Sequence, residues 1–462
     1  MGNKLRVILV FAAAVSAQNA SSQNAAPTHG NGLPLAPGAQ VTTLTQPGKF
    51  TEPAVAVNPR NPKQVVVAFQ DNAFAAYSAD AGQTWTVVSV APKNYKVSGD
   101  VSVTFDSQGR AYICYIAFDK LGTFNYWARG ATRNGIFVRR SLDGGQTWEQ
   151  NDFTVAEQPT QPGIPFEDKP EIVADSGSGP YAGTLYVGWT RWTLTASPLV
   201  ISHSTDSGKT WSEPVEVNLI PGLPRDDDGA NEGFSGTVTP DGTLYAIWSD
   251  GNHVVLTSSS DGGRTFAKAR NVIETAPSMF AVQGFSRANG FPQIGSGPDG
   301  ALYVAWTDYR NGDIDAFVSK STDKGVTWGQ PVRANDDPVH DGNDQFYQWL
   351  SLDPKDGSVN LVFYDRRGDE RNSKTRVSIA RSTDGGATFK DFALTEDPFE
   401  VRGEFMGDYN GSAAFAGRVY SVWTELGNPP LPPAKKDEPQ RPQPHTVVRV
   451  GVADFNAGGG GK

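Results

Sequence analysis

Ser382-Thr383-Asp384-Gly385-Gly386-Ala387-Thr388-Phe389 is the last of six near-identical eight-residue phrases in a chain of 462 residues. The earlier phrases begin at Ser78, Ser141, Ser204, Ser259 and Ser321. Their aspartates, Asp80, Asp143, Asp206, Asp261, Asp323 and Asp384, follow one another at steps of 63, 63, 55, 62 and 61 residues. So regular a period marks a repeat architecture, in which each unit buries its apolar face only against its neighbours. A short alternating apolar run such as Ile136-Phe137-Val138 or Val377-Ser378-Ile379-Ala380 precedes each phrase and reads as a strand. Ser, Asp and Gly then make a turn, in which the carboxylate accepts backbone N–H groups and the glycine takes a conformation that other residues resist. The Thr and the Trp or Phe start the next strand, with the ring available to pack between sheets.

Each phrase is therefore a clip joining two strands, and it resembles the Asp box, or BNR repeat, of bacterial sialidases and related β-propellers. That resemblance implies an all-β fold of four-stranded antiparallel blades. It implies less about chemistry, because in that superfamily the box is structural and also occurs in proteins that are not enzymes. A longer unit surrounds each phrase: an inner strand, a second strand of Leu-Tyr-Val-x-Trp type, a third strand running into the box, and a fourth. Second strands are legible at 65–69, 111–116, 185–189, 244–248, 302–306, 361–364 and 419–423, seven against six boxes. The last unit has a third strand at 447–450 and no box, and residues 41–44 near the N-terminus are free to supply its fourth strand. This favours a seven-bladed β-propeller over 39–456, with six blades, the usual number in sialidase catalytic domains, as the alternative.

Lys4 and Arg6, the apolar run 7–15 and Val15-Ser16-Ala17 read as a secretory signal, 1–17, which implies a secreted or periplasmic protein. The run is too short to span a bilayer. Its removal takes the formal charge from −10 to −12. Such an acidic chain is a poor partner for nucleic acid or anionic membrane. Residues 18–38, rich in Ala, Ser, Asn, Pro and Gly, read as a flexible leader, and 457–462 as a Gly-rich tail. The single cysteine, Cys114, lies in the apolar stretch Tyr112-Ile113-Cys114-Tyr115 and reads as a buried, inert thiol. A monomer needing no cofactor is expected.

In a four-stranded blade the boxes lie on one face, and the loops after the second strand and before the first lie on the other, around the axis. The second group of loops is rich in charge. After the second strands come Asp71, Asp119, Arg191, Asp250, Asp308 with Arg310, Asp365 with Arg366 and Arg367, and Glu425. Before the first strands come Glu52, Asp100, Glu167 with Asp168, Glu232, Asp344, Glu404, and Asp408 with Tyr409. Carboxylates and guanidinium forks converging on one mouth suit a polar ligand, a glycan or glycoconjugate. The competing expectation for any one of them is turn chemistry, or pairing with one another across neighbouring blades.

Sialidases carry an arginine triad for the sugar carboxylate, a Tyr nucleophile relayed by a Glu, and an Asp acid/base. Gly99-Asp100-Val101-Ser102 resembles the segment of the Asp, which implies Asp100 as acid/base. Asn231-Glu232, ahead of Asp241-Gly242-Thr243-Leu244-Tyr245, resembles the segment of the relay Glu, and Gly407-Asp408-Tyr409 the placement of the Tyr. Two departures stand beside these. Thr51-Glu52-Pro53 replaces the first arginine segment, and Trp248-Ser249-Asp250 stands where a second arginine is expected, leaving Arg191, Arg310, Arg366, Arg367 and Arg402 as substitutes. Asp226-Asp227-Asp228, Asp336-Asp337 and 340–344 offer oxygen ligands without the spacing of a known calcium loop, and the 5 histidines show no paired spacing, so no metal site is indicated. The Pro-rich insert 428–445 reads as a loop of the last blade. Two functions stay open: an exo-α-sialidase-like glycosidase using Tyr409, Glu232 and Asp100, and a non-catalytic propeller that binds a glycan or protein at its axial face.

Overall fold

The computed structural model describes residues 28–29, 32–122, 128–225, 229–276, 279–280, 282–285, 287–401, 403, 405–427 and 445–457. The signal segment, Asp226–Asp228, Arg402, Glu404, residues 428–444 of the Pro-rich insert and 458–462 lie outside them.

The described residues form seven four-stranded antiparallel blades and contain no helix. Blade 1 comprises Thr51–Val57, Val65–Gln70, Phe74–Ser78 and Thr86–Ser89. Blade 2 comprises Val97–Phe105, Ala111–Phe118, Asn134–Ser141 and Phe153–Gln158, and blade 3 Phe166–Ala174, Leu185–Trp192, Leu199–Ser204 and Val215–Glu216. Glu232–Val238, Leu244–Ser249, His253–Ser259 and Arg270–Glu274 make blade 4. Gln293–Ser296, Leu302–Asp308, Asp315–Ser321 and Val332–Arg333 make blade 5. Blade 6 is Gln345–Leu352, Val359–Asp365, Lys374–Ser382 and Lys390–Ala393, with Phe399–Glu400 added beside its third strand. Blade 7 takes Gly411–Phe415, Arg418–Leu426 and Thr446–Asp454 from the C-terminal end of the chain and Gln40–Thr43 from the N-terminal end. The ring thus closes by pairing Gln40 with Val452 and Thr43 with Arg449, as the count of second strands against boxes predicts.

The second strands are apolar on both faces because each blade is covered on both sides. Ala111–Phe118 and Leu302–Asp308 are buried throughout, and Trp189, Trp248, Trp306 and Trp423 are fully buried. Burying such a side chain stabilises by roughly 1.5–3 kcal/mol or more, so the interfaces between blades carry the core. One expectation is corrected. Residues 32–38, read as part of a flexible leader, include Leu33 and Ala36 buried against the fold, with Ala36 N–H donating to the Ala393 carbonyl at 2.9 Å. The alternation of Leu33 and Leu35 with prolines carries enough apolar area to dock on blade 6 despite the leader-like composition.

The six clips share one hydrogen-bond set. In the last, Ser382 Oγ donates to Asp384 Oδ1 at 2.7 Å, Gly386 N–H donates to Ser382 Oγ at 2.9 Å, and Thr388 gives Asp384 its N–H at 3.0 Å and its hydroxyl at 2.6 Å. The same four bonds recur around Asp80, Asp143, Asp206, Asp261 and Asp323. The second glycine turns the chain at positive φ and lets the clip touch the preceding blade: a Cβ on Gly145 (φ 99°) would meet Val66 Cγ2 at 2.3 Å. The clip therefore also helps hold neighbouring blades together.

Hydrogen bonds from the threonine hold Asp80, Asp261 and Asp323 at about 2, below the ordinary 3.8. A depressed carboxylate pKa contributes stability that is present above the unfolded value and lost as pH falls through the folded one. Solvent screening keeps each contribution small. The expected outcome is a fall in Tm between pH 4 and pH 2, shallower in an Asp80→Asn/Asp261→Asn variant that already melts lower at pH 7; differential scanning calorimetry across that range checks it.

Candidate functional site at the axial mouth

Each inner strand begins at the mouth opposite the clips. In five blades its ladder breaks by a bulge just inside the mouth: between Thr51 and Ala54, Gly99 and Ser102, Asp168 and Glu171, Glu232 and Ser235, and Phe346 and Trp349. In all seven blades the next paired inner residue faces the residue before a second-strand aromatic: Ala54, Ser102, Glu171, Ser235, Gln293, Trp349 and Gly411 precede Phe69, Tyr115, Trp189, Trp248, Trp306, Phe363 and Trp423 in this sense. Two residues before each lies one equivalent position per blade. Those positions form a ring: Glu52, Asp100, Lys169, Gly233, Phe291, Tyr347 and Tyr409.

Four non-glycine members of the ring are left-handed, Glu52 at φ 54°, Asp100 at 46°, Lys169 at 52° and Tyr347 at 51°. Such a conformation costs of order 1–3 kcal/mol and persists where surrounding structure imposes it, most often at functional sites. Here the ladder on both sides of the bulge imposes it, turning successive charged and aromatic side chains toward the axis.

The ring and its neighbours make one connected cluster. Gln70, at the end of blade 1's second strand, donates its amide to Glu52 Oε2 and, at 2.9 Å, to Thr51 Oγ1, and its Oε1 accepts the Asp100 N–H at 2.8 Å. Asp408 N–H donates to Glu52 Oε1 at 3.1 Å, which requires the 407–409 segment to pass close over Glu52. Gly407 (φ 91°) allows it, since a Cβ there would meet Glu52 Cγ at 2.7 Å. Arg287 grips Asp408 with two guanidinium nitrogens. Lys169 N–H donates to Asp100 Oδ2 at 3.1 Å, and its ammonium lies over the Tyr409 ring at 3.7 Å and the Phe291 ring at 5.3 Å. Trp349 packs against Tyr409 with centroids 5.7 Å apart. Tyr347 hydroxyl donates to the Gly407 carbonyl at 2.6 Å.

Burial, then the charges of Asp100 and Asp408, push Glu52 well above the usual carboxylate range, against the opposing pull of Lys169 and Arg287. Burial and the carboxylates of Glu52, Asp100 and Asp408 likewise hold the Tyr409 phenol well above 10, and its hydroxyl donates to the Val101 carbonyl at 3.0 Å. Directly below the ring runs a channel of about 340 Å³ lined by Ser102, Thr104, Glu171, Ser235, Thr237 and Gln293. Glu171 keeps part of its surface open to the channel, away from bulk solvent, and burial raises it to about 7.

The sequence-derived candidates divide into two groups. Asp100 and Tyr409 meet in this cluster. The carboxylate charges felt by Tyr409 come from Glu52, Asp100, Asp408 and Glu171, whereas Glu232 stands on blade 4, next to Gly233 of the ring. The remaining candidates pair with residues of their own blades or of the connections between blades. Arg191 binds Glu167 at 2.9 Å, Arg310 binds Asp308, and Arg367 binds Asp365, Asp336 and Asp391. Arg366 donates to the Asn372 and Gln283 carbonyls at 2.6 Å, and burial lowers it to about 10. Asp250 accepts the His253 N–H at 2.9 Å, and Glu425 faces Arg449 at 3.2 Å. Several of these carboxylates also receive the indole N–H of a second-strand tryptophan: Trp189 donates to Glu167 at 2.6 Å, Trp306 to Asp308 at 2.8 Å and Trp423 to Glu425 at 3.2 Å. A buried indole requires an acceptor, and the loop carboxylate supplies it.

A cavity of about 690 Å³ lies at the rim of blade 6 beside Leu33 and Pro34, and its Arg367, Asp336 and Asp391 are the ion pairs just described. Among the described residues no three His, Cys, Asp or Glu side chains are grouped to hold a metal ion. The sequence placed Glu52 in the Thr51-Glu52-Pro53 departure and Asp408 beside Tyr409 without giving either a role, and Lys169, Arg287, Gln70, Tyr347 and Trp349 were missed. The available signal was Glu52-Pro53, Lys169-Pro170 and Phe291-Pro292, three x-Pro pairs at one register of the repeat.

No family model matches the chain, and no curated protein matches it. Among solved structures it is similar to a Hadza microbial sialidase, with 18% identity over 78% of this chain and 70% of that one and a TM-score of 0.46. It is similar to the leech intramolecular trans-sialidase, with 14% identity over 77% and 69% and a TM-score of 0.49. It is also similar to a PL25 ulvan lyase, with 12% identity over 83% and 93% and a TM-score of 0.49. The propeller assignment rests on the blades themselves.

A carboxyl raised in the folded state contributes stability fully present below its unfolded value, 4.5 for Glu171, and lost as pH rises toward about 7. Urea titrations at pH 4.5, 6 and 7.5 are expected to show Glu171→Gln removing part of the wild-type decline over this interval. An unchanged decline would exclude Glu171 as its source.

Proposed function

We propose that this protein is a secreted glycoside hydrolase working at the axial mouth, with Glu52 and Asp100 as its paired carboxyls. The observation that carries the reading is the bridge through Gln70, which ties Glu52 of blade 1 to the backbone of Asp100 in blade 2. Glycoside cleavage requires one carboxyl that arrives protonated and a second group that acts as base or nucleophile on the sugar. Glu52, pushed up by burial and by neighbouring carboxylates, suits the proton donor to the leaving oxygen. Asp100, half-buried and accepting the Lys169 N–H, suits the second role. Trp349, half-buried beside Tyr409, supplies a ring face on which the apolar face of a sugar stacks.

In this form of the reading Tyr409 orients substrate as a neutral phenol. The exo-sialidase form instead makes Tyr409 the nucleophile and Asp100 the acid/base. It needs a carboxylate to take the phenol proton on substrate binding, and Glu52 is better situated for that than Glu232. One observation favours the non-catalytic alternative: Arg191, Arg310 and Arg367 are each held by carboxylates of their own part of the fold, as in a structural frame.

Release of a fluorescent aglycone from a panel of neutral, uronic and sialic glycosides tests these forms. Glu52→Gln and Asp100→Asn are each expected to lower kcat/KM by at least ~100-fold, with Tyr409→Phe far milder. A Tyr409→Phe loss as deep as that of Glu52→Gln would favour the tyrosine-nucleophile form, and a folded wild-type protein that binds glycans without turnover would favour the binding propeller.

A further inference from the structure

We infer that Lys169 is the anion-receiving residue of the axial site, its ammonium taking the negative group of an acidic sugar, carboxylate or sulfate ester. The inference rests on the glycan reading above and adds the charge of the substrate to it.

Three restraints place the residue. Its backbone is left-handed at φ 52° and followed by Pro170, its N–H is bound by Asp100 Oδ2 at 3.1 Å, and the ladder resumes at Glu171. The ammonium is thereby brought over Tyr409 at 3.7 Å and Phe291 at 5.3 Å, two members of the same ring. Aromatic faces stabilise a cation on one side only and leave its N–H donors for another acceptor.

The other cations of this face have their donors taken up: Arg366 has no carboxylate within ion-pair distance among the described residues but donates to the Asn372 and Gln283 carbonyls at 2.6 Å, and the remaining four are ion-paired. Arg191 has Glu167, Arg287 has Asp408, Arg310 has Asp308 and Arg367 has Asp365, each within ion-pair distance. Among the described residues no carboxylate lies within ion-pair distance of the Lys169 ammonium, although Glu52 and Glu171 feel its charge. Half-buried and balanced only at longer range by Glu52 and Glu171, the ammonium gains a direct partner when an anionic ligand binds. A lysine is a point charge with rotatable donors, so it accepts carboxylate and sulfate alike, where an arginine fork would select planar oxyanions.

Isothermal titration of the full chain with glucose, glucuronic acid, N-acetylneuraminic acid and glucose 6-sulfate tests this. At least one acidic sugar is expected to bind about tenfold or more tighter than glucose, with the probe that binds distinguishing carboxylate from sulfate. Lys169→Met is expected to abolish that margin and Lys169→Arg to keep it for a carboxylate, with unchanged melting curves verifying the fold of both. A margin that survives in Lys169→Met, a wild-type protein binding all four alike, or one binding none overturns the inference. Charge discrimination without turnover of any glycoside would sink the hydrolase reading alone; turnover indifferent to sugar charge would sink this inference alone.

Discussion

The pairing of Gln40–Thr43 with Thr446–Asp454 is the contact on which the rest of the molecule depends. A propeller blade has two apolar faces and can bury them only against the blades on either side, so a row of blades is not stable until its two ends meet. Joining strands from opposite ends of the chain in one blade closes the ring through a ladder of backbone hydrogen bonds. Seven inner strands are then held around one axis.

Closure also explains how charged residues come to occupy strained positions. A bulge in a lone strand relaxes; a bulge pinned on one side by its ladder to the second strand and on the other by the neighbouring inner strand does not. Glu52, Asp100, Lys169 and Tyr347 are held left-handed by this frame. Burial in this frame raises both the Glu52 carboxyl and the Tyr409 phenol, and the cluster is satisfied through backbone groups and Gln70 as much as through ion pairs.

The outer loops use the same residue types for another purpose. Glu167, Asp308 and Glu425 accept tryptophan N–H groups and hold Arg191, Arg310 and Arg449 beside them, so an Asp or Glu near a second-strand Trp is first a cap on a buried indole. Those residues and the members of the axial ring look alike in the sequence. Only their distance from the bulge register separates them, and that register is a property of strand pairing.

The sequence by itself determined the repeat, the clip and the four-strand blade, and it favoured seven blades closed by the N-terminal strand over six. All of these follow from a period of about 60 residues and from alternation within short segments, which are local and are repeated often enough to be read. Tertiary structure alone decided which charged residues share a site. Glu52 meets Asp408 across 356 residues of chain, and Tyr409 reaches Val101 across 308. No local pattern encodes such neighbours: they arise because a closed ring brings its first and last blades together, and because one-residue differences in bulge register select the side chains that face the axis.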